Sequence, residues 1–326
     1  MPKPDAAHRA TDDELAKLER RIARLYREAA DDLQETIEAY FEKFKKRDEE
    51  MKALIGTVQN GKEWTEQDYK QWRLAQIGRG KRFEAMRDKL AERMTKANEV
   101  AISYANDDMA KIYAMNHAYT IESVKEQAGE MLSGVDFTMF DEQTVKRLVV
   151  EQPDLMPYYP KAKAVKRGID LIYGKKQITA TVTSGILQGS SINKMAKDLM
   201  NRVTDMNKTS AVRAARTAVT EAENAGRQAA ADELEKKGVI IGKRWIATHD
   251  SRTRDEHLEA DGQIVENGKP FVVGGEELMF PGDKSLGASG WNLYNCRCTR
   301  VSEIIGFKSI LTEEQRKRAN IRVSIK

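Results

Sequence analysis

A mainly α fold with a C-terminal α+β domain is predicted for this chain: long N-terminal amphipathic helices followed by a small strand- and loop-rich module. Three observations predict it. Apolar residues recur in three-and-four steps through roughly the first 130 residues, and an alanine-rich, proline-free stretch follows at 209–238. From Val239 onward, β-formers and clustered glycines replace both patterns.

From Thr11 to about Ile55, Leu15, Leu18, Ile22, Leu25, Ala29, Ile37, Tyr40 and Phe44 stand between charged residues. This is the stripe of a long amphipathic helix with coiled-coil character. Thr11 and Glu14 read as its capping box. GTVQNGKEW (56–64) interrupts the period with two glycines and an asparagine. A second helical stretch, Thr65 to about Leu132, carries Trp72, Ile77, Phe83, Met86, Leu90, Met94, Ile102, Met109, Ile112 and Met115, with a break near GRG (78–80). Its methionines read as core filler. Three prolines in QPDLMPYYP (152–160) forbid a continuous helix and predict a boundary there. TVTSGILQGSSINKMAKDLMNRV (181–203) reads as a helix, a turn at Gly189 and a serine-capped helix. The alanine-rich helix 209–238 ends at Gly238. VIIGKRWIATHD then opens the strand-rich part, and a short charged helix and tail begin at Leu311. The organisation expected is an elongated helical region 1–150, a helical basic segment 151–238, an α+β module 239–310 and a tail 311–326.

At 326 residues the chain exceeds one average domain. No run approaches the roughly 18 apolar residues of a membrane span, so no membrane partner is expected. The N-terminus has no apolar h-region after its charged start, which predicts action where the protein is made, in cytoplasm. The formal net charge of +4 is uneven: residues 161–244 hold 17 Lys+Arg against 8 Asp+Glu, a local +9 that leaves −5 elsewhere. Such a segment faces nucleic acid or an acidic partner, or is a solvated helical face.

Both cysteines lie in WNLYNCRCTR (291–300), and two of the four histidines lie in THDSRTRDEHLEADGQ (248–263). A disulfide between Cys296 and Cys298 would staple nothing distant. In an extended strand both cysteines share one face and Arg297 takes the other, so the sulfurs can face His257. His249, His257, Cys296 and Cys298 are therefore the candidate metal ligands, with zinc the candidate ion because it takes thiolate and imidazole together. The spacing CxC departs from the CxxC of zinc knuckles. The other reading is a metal-free polar core without any cofactor, in which Asp250, Arg252 and His257 hydrogen-bond and the cysteines pack as small apolar groups. No catalytic residue is assigned, since no local signature of a nuclease or a thiol nucleophile accompanies these side chains. On the helix 209–238, Arg216, Glu223 and Arg227 can form a ladder along a solvated face.

Taken in order, ARTAVTEAENAGR (215–227), WIATHDSRTRDEHLEADGQ (245–263), FPGD (280–283) and NCRCT (295–299) resemble the phage head morphogenesis family, also called the Mu protein F-like or minor head protein family. The resemblance covers about residues 180–302. Its matching positions are Arg216, Thr217, Asn224, Arg227, Trp245, Asp250, Arg252, Thr253, His257, Gly262, Pro281, Gly282, Asp283, Asn295, Cys296, Arg297 and Cys298. Where many relatives carry extra cysteines after the RT pair or a histidine-proline before CRC, this chain has Arg254 and His257, and Tyr294-Asn295. The resemblance implies a minor head protein of a tailed bacteriophage, enclosed in the virion head and present in host cytoplasm during assembly. Its implied partners are the portal protein, scaffold or major capsid protein, and DNA. It would act in head morphogenesis and in DNA packaging or delivery by binding rather than catalysis. The alternative is a metal-dependent nuclease or other DNA-processing enzyme built on the His/Asp/Cys cluster. The N-terminal helices would suit oligomer or portal contacts. NCRCT is expected to be the closing strand of the module, beside His257 and Asp250.

Overall fold

The computed structural model describes residues 5–152, 155–156 and 169–308, with side chains described except at 169–170 and 205–207. The helix and tail expected from Leu311 lie outside the described residues, as do most of QPDLMPYYP and the boundary expected there. The helices are α1 (Ala6–Ala53), α2 (Glu66–Gln76), α3 (Lys81–Ala128), α4 (Glu142–Glu151), α5 (Ile169–Leu187), α6 (Ile192–Lys236), α7 (Asp255–Glu259) and α8 (Gly290–Leu293). The strands are β1 (Val58–Gln59), β2 (Lys62–Glu63), β3 (Val239–Ile246), β4 (Ile264–Glu266), β5 (Phe271–Val273), β6 (Glu276–Leu278) and β7 (Thr299–Phe307). The fold is mainly helical with a C-terminal α+β part, as the sequence predicts.

α1 begins five residues before Thr11. The Thr11 hydroxyl donates to the Ala7 carbonyl at 3.0 Å from inside the helix, so the expected Thr11–Glu14 capping box is not formed. Asp5 caps instead, its Oδ1 accepting the His8 amide at 2.9 Å. The interruption at 56–64 is the hairpin β1–β2, whose turn residues Asn60 and Gly61 both take positive φ, the Asn-Gly chemistry of a two-residue hairpin. α2 carries the capping box that the sequence placed elsewhere, between Thr65 and Asp68.

The buried positions of α1 explain its length. Leu15, Leu18, Ile22, Tyr26, Ala29, Leu33, Ile37, Tyr40 and Phe44 recur in steps of three, four and four. α3 repeats the pattern at Phe83, Met86, Leu90, Met94, Ala97, Ala101 and Ala105. Eleven residues per three turns is about 3.67 per turn, a period that a straight or slightly right-handed helix holds, whereas a heptad would impose left-handed supercoiling. The stripe is therefore hendecad in kind, not the heptad suggested by a coiled-coil reading.

The chain forms two compact units, one from the described residues of 20–102 and 161–212, the other from those of 1–19, 103–160 and 213–326. In the first, α1 and α3 run antiparallel: Tyr26 reaches Asn98, Asp32 pairs with Arg93, and the Tyr40 ring lies 6.5 Å from Phe83. Gly189, at φ +70°, ends α5, and Ser191 accepts the Lys194 amide at 3.2 Å as the cap of α6. α6 continues unbroken through 204–208, which the sequence pattern places between two helices, because that stretch holds neither glycine nor proline.

In the second unit β3 is the centre of a three-stranded antiparallel sheet in the order β4-β3-β7, while β5 and β6 pair as a separate hairpin. Two apolar clusters meet along β3. Val239 and Ile241 pack with Ile121 and Val124 of α3 and with Ala230, Ala231 and Leu234 of α6. Trp245 packs with Phe271, Leu278, Leu293 and both cysteines.

Gly226 of α6 lies directly on α3. A Cβ built there would stand 2.4 Å from the Tyr113 carbonyl oxygen and 3.1 Å from its carbon. Alanine favours a helix over glycine by about 1 kcal/mol, but a backbone contact cannot swing aside, so overpacking dominates. Gly226→Ala is expected to lower the free energy of unfolding by about 1–3 kcal/mol. A denaturation midpoint unchanged or raised would show that the two helices separate without cost.

Candidate functional site

The family-like residues of α6 form a template for the segment 295–300. Thr217 Oγ1 accepts the Asn295 amide at 3.2 Å, and Thr220 Oγ1 donates to the Cys296 carbonyl at 2.5 Å. Asn224 Nδ2 donates to the Cys298 carbonyl at 3.2 Å, while its Oδ1 accepts the Arg300 amide at 2.9 Å. Arg227 then donates to the Arg300 carbonyl at 3.1 Å. One helical face, read at three- and four-residue steps, thus satisfies an extended backbone much as a neighbouring strand would. This is why NCRC is not part of a strand, contrary to expectation: β7 begins at Thr299, and the carbonyls of Cys296 and Cys298 are already taken by side chains.

Behind this face lies a buried charged network. Arg227 donates to Asp5 at 2.6 and 2.8 Å and to Asn116 Oδ1 at 3.0 Å, and stands 3.4 Å from Glu223. Glu223 in turn meets His8 Nδ1 at 2.8 Å and accepts from Thr299 Oγ1 at 2.7 Å. Arg227 and Glu223 are each 2% exposed, so the ladder expected on a solvated face is interior. Arg216 leaves it altogether and pairs with Glu19 at 2.5 Å. Burial opposes the charge on His8, yet the neighbouring Glu223 carboxylate outweighs it and holds the His8 pKa above its ordinary value. Burial likewise pushes Asp5 upward, and the Arg227 hydrogen bond and charge bring it below the usual carboxylate range. Nothing local in the sequence marks Asp5, His8 or Asn116, because Asp5 and Arg227 are 222 residues apart and Asn116 and Arg227 are 111 apart. Lys243 is a further buried cation unmarked in the sequence. Its Nζ donates to the Met279 carbonyl at 2.6 Å, and burial, with Arg300 nearby, pushes its pKa down to about 7.

The loop 248–263 sorts its polar side chains into three places. Asp250 takes Arg297 in a two-pronged pair at 2.7 and 2.7 Å and accepts the Arg252 amide at 2.9 Å. The Arg297 hydrogen bonds hold Asp250 well below the usual carboxylate range. Thr253 donates to the Thr248 carbonyl, and the Arg252 side chain is exposed beside Asp250. His249 pairs with Asp261 at 2.9 Å, at the surface. Gly262, at φ +79°, makes the turn that returns its amide to the Trp245 carbonyl at 2.9 Å. In the FPGD stretch, Asp283 accepts the amides of Met279 and Ser285 at 2.9 and 2.8 Å. Pro281 is buried, and Gly282 lies so close to α6 that a Cβ would stand 3.3 Å from the Glu221 nitrogen.

His257 goes elsewhere. Its Nδ1 lies 3.4 Å from Cys298 Sγ and 3.6 Å from Cys296 Sγ, and the three ligand atoms fall within 4.8 Å of one another. All three residues are buried, at 1%, 2% and 2% exposure for His257, Cys296 and Cys298. The four candidate metal ligands are thus three together and His249 apart. The hydrogen bond between the two thiols lowers the Cys296 pKa, while the same contact and burial raise that of Cys298. Trp245 closes the pocket edge-on, 5.7 Å from the His257 ring and 5.3 Å from Phe271. Such a trio can share protons or hold a soft ion; it is too enclosed to meet a polymeric substrate.

Comparison with known proteins bears out the resemblance carried by these motifs. Residues 176–301 match the family described as Phage Mu protein F like protein. Minor head protein GP7 of Bacillus phage SPP1 is 24% identical over 311 residues, covering 94% of this chain and 89% of that protein. NAD(+)--arginine ADP-ribosyltransferase EFV of Enterococcus faecalis is 28% identical over 139 residues, which is 43% of this chain and 28% of that protein. An uncharacterized protein of Haemophilus influenzae is 26% identical over 218 residues, 65% of this chain and 42% of that protein. The chain therefore spans less than half the length of these last two relatives. No solved structure matches. Among the described residues, no helix is long and apolar enough to cross a membrane.

Proposed function

Because residues 176–301 are a Phage Mu protein F-like segment, we propose that this chain is a minor head protein of a tailed bacteriophage that binds the portal and acts by interaction in head morphogenesis and in DNA packaging or delivery. The observation that carries this reading is the nearly end-to-end likeness to minor head protein GP7, which extends beyond the family segment into the long N-terminal helices. The use of the motif residues supports it as well. Thr217, Asn224 and Arg227 are spent on closing the fold, and the His257 trio is buried, so these motif residues serve architecture. This arrangement lends no support to the nuclease alternative. The likeness to the ADP-ribosyltransferase supports a shared segment of 139 residues, not a shared reaction.

In this reading the protein resides inside the virion head and passes through host cytoplasm during assembly. Ile172, Tyr173 and Leu187 of α5 are exposed apolar side chains available to a protein partner such as the portal, scaffold or major capsid protein. The excess positive charge of 161–244 suits DNA. The test is co-sedimentation of the full chain with the portal oligomer of the same phage, with duplex DNA in a parallel tube at low and high salt. Association with the portal is expected, weakened at least about tenfold by Leu187→Glu, together with DNA binding that is lost as salt rises. A chain that sediments alone in the portal tube overturns the reading.

A further inference from the structure

We propose that His257 Nδ1, Cys296 Sγ and Cys298 Sγ bind a zinc ion that ties α7 to the extended segment entering β7. The inference does not depend on the head-protein reading. It rests first on distances. Zinc–sulfur bonds of about 2.3 Å and zinc–nitrogen bonds of about 2.0–2.1 Å at tetrahedral angles place nitrogen and sulfur about 3.6 Å apart. The observed separations are 3.4 and 3.6 Å. A hydrogen bond at Nδ1 lies along one direction and selects one acceptor or donor. Here one nitrogen is nearly equidistant from two sulfurs, as it would be with an ion seated between all three.

Charge and chemistry agree with the distances. Two thiolates cancel the charge of a divalent ion, so a neutral site occupies a buried place where an unbalanced charge would be costly. Binding breaks two S–H bonds, releases two protons to solvent, and forms two zinc–sulfur bonds and one zinc–nitrogen bond. Among the described residues the group has three members, so the fourth tetrahedral position falls to a water molecule. The spacing Cys-x-Cys, awkward for a zinc knuckle, works here because the backbone of 296–298 is extended. Both sulfurs project to the side of His257, while Arg297 projects to Asp250 on the other.

The module also has use for a staple. β4, β5 and β6 are three residues long, α7 five and α8 four, so short elements surround the trio and few ladder bonds hold them. Small modules of this kind gain much of their stability from a metal or a covalent link. Thiol chemistry follows as well: a zinc-bound pair is held as thiolates within a closed pocket, where an unliganded pair would be free to oxidise.

The experiment uses the full chain purified under reducing conditions. Zinc is counted by mass spectrometry as purified; the protein is then stripped and titrated with Co(II), whose sulfur charge-transfer and d–d bands report thiolate ligation and tetrahedral geometry. One zinc per chain, both sets of bands, and their displacement by Zn(II) are expected. Cys296→Ser and Cys298→Ser should each weaken binding by more than about 100-fold, and His249→Gln should leave it unchanged. If a cysteine variant fails to fold, the wild-type spectrum alone decides. A folded, reduced wild-type chain with neither zinc nor Co(II) charge-transfer bands overturns the proposal, and so does metal binding abolished by His249→Gln.

Discussion

Replacing Arg227 with methionine is expected to lower the free energy of unfolding by about 3–5 kcal/mol. The volume is nearly kept, so the loss is electrostatic. The guanidinium holds Asp5 with two hydrogen bonds, meets Asn116 and the Arg300 carbonyl, stands 3.4 Å from Glu223, and lies over the Tyr119 ring at 5.7 Å. Its removal strands two carboxylates. Asp5 can turn toward water, but Glu223 is 2% exposed and, among the described residues, retains His8 and Thr299. Arg227→Lys should recover less than half of the loss, because an ammonium cannot reproduce the fork that grips both oxygens of Asp5. Denaturant titration checks this through the midpoint at unchanged slope. A loss below about 1 kcal/mol for the methionine variant would mean that the network contributes no more than a surface pair.

A comparable loss, about 3–5 kcal/mol, is expected for Trp245→Ala. The indole is fully buried at the crossing of β3 with the second apolar cluster, edge-on to His257 and Phe271. Both its backbone groups are held by one turn, the N–H donating to the Gln263 carbonyl and the C=O accepting from the Gly262 amide, each at 2.9 Å, which resists collapse into the space left behind. Trp245→Phe separates shape from polarity. Among the described residues the Trp245 Nε1 donor has no hydrogen-bond partner, so phenylalanine removes an unsatisfied group while keeping most of the contact, and should cost far less than alanine. Equal losses for the two variants would sink this account and point instead to an unseen partner for the indole nitrogen.

The helices were legible because their cause is local. The steps of three and four from Leu15 to Phe44 can be counted along the chain, and Gly189 and Gly238 stand where the helices end. The start of α1 is not legible because its cause is not local: Thr11 has the composition of a cap, and its burial depends on residues more than a hundred positions away, such as Asn116, whose Nδ2 donates to it at 2.9 Å. In the candidate site, alternation predicted that Cys296 and Cys298 face His257 and that Arg297 turns away, and the structure has both. The pairing partner of that segment was not predictable from β-pattern. A helix takes the place a strand would occupy, and only the spacing of Thr217, Thr220, Asn224 and Arg227 against residues 295–300 encodes it. His249 and His257 look equivalent in sequence, and the turn at Gly262 brings Asp261 to the first and leaves the second to the cysteines.

The clasp between Asp5, His8 and α6 also sets a clock. At roughly 5–20 residues per second, a ribosome needs about 10–40 seconds to pass from the codon of Asp5 to that of Arg227. Throughout that interval the Asp5 carboxylate holds the His8 amide but lacks Arg227, and the His8 ring lacks Glu223. The unit that contains both ends of the clasp is therefore completed late in synthesis, and whatever recognises its closed form meets the protein only once α6 has left the exit tunnel.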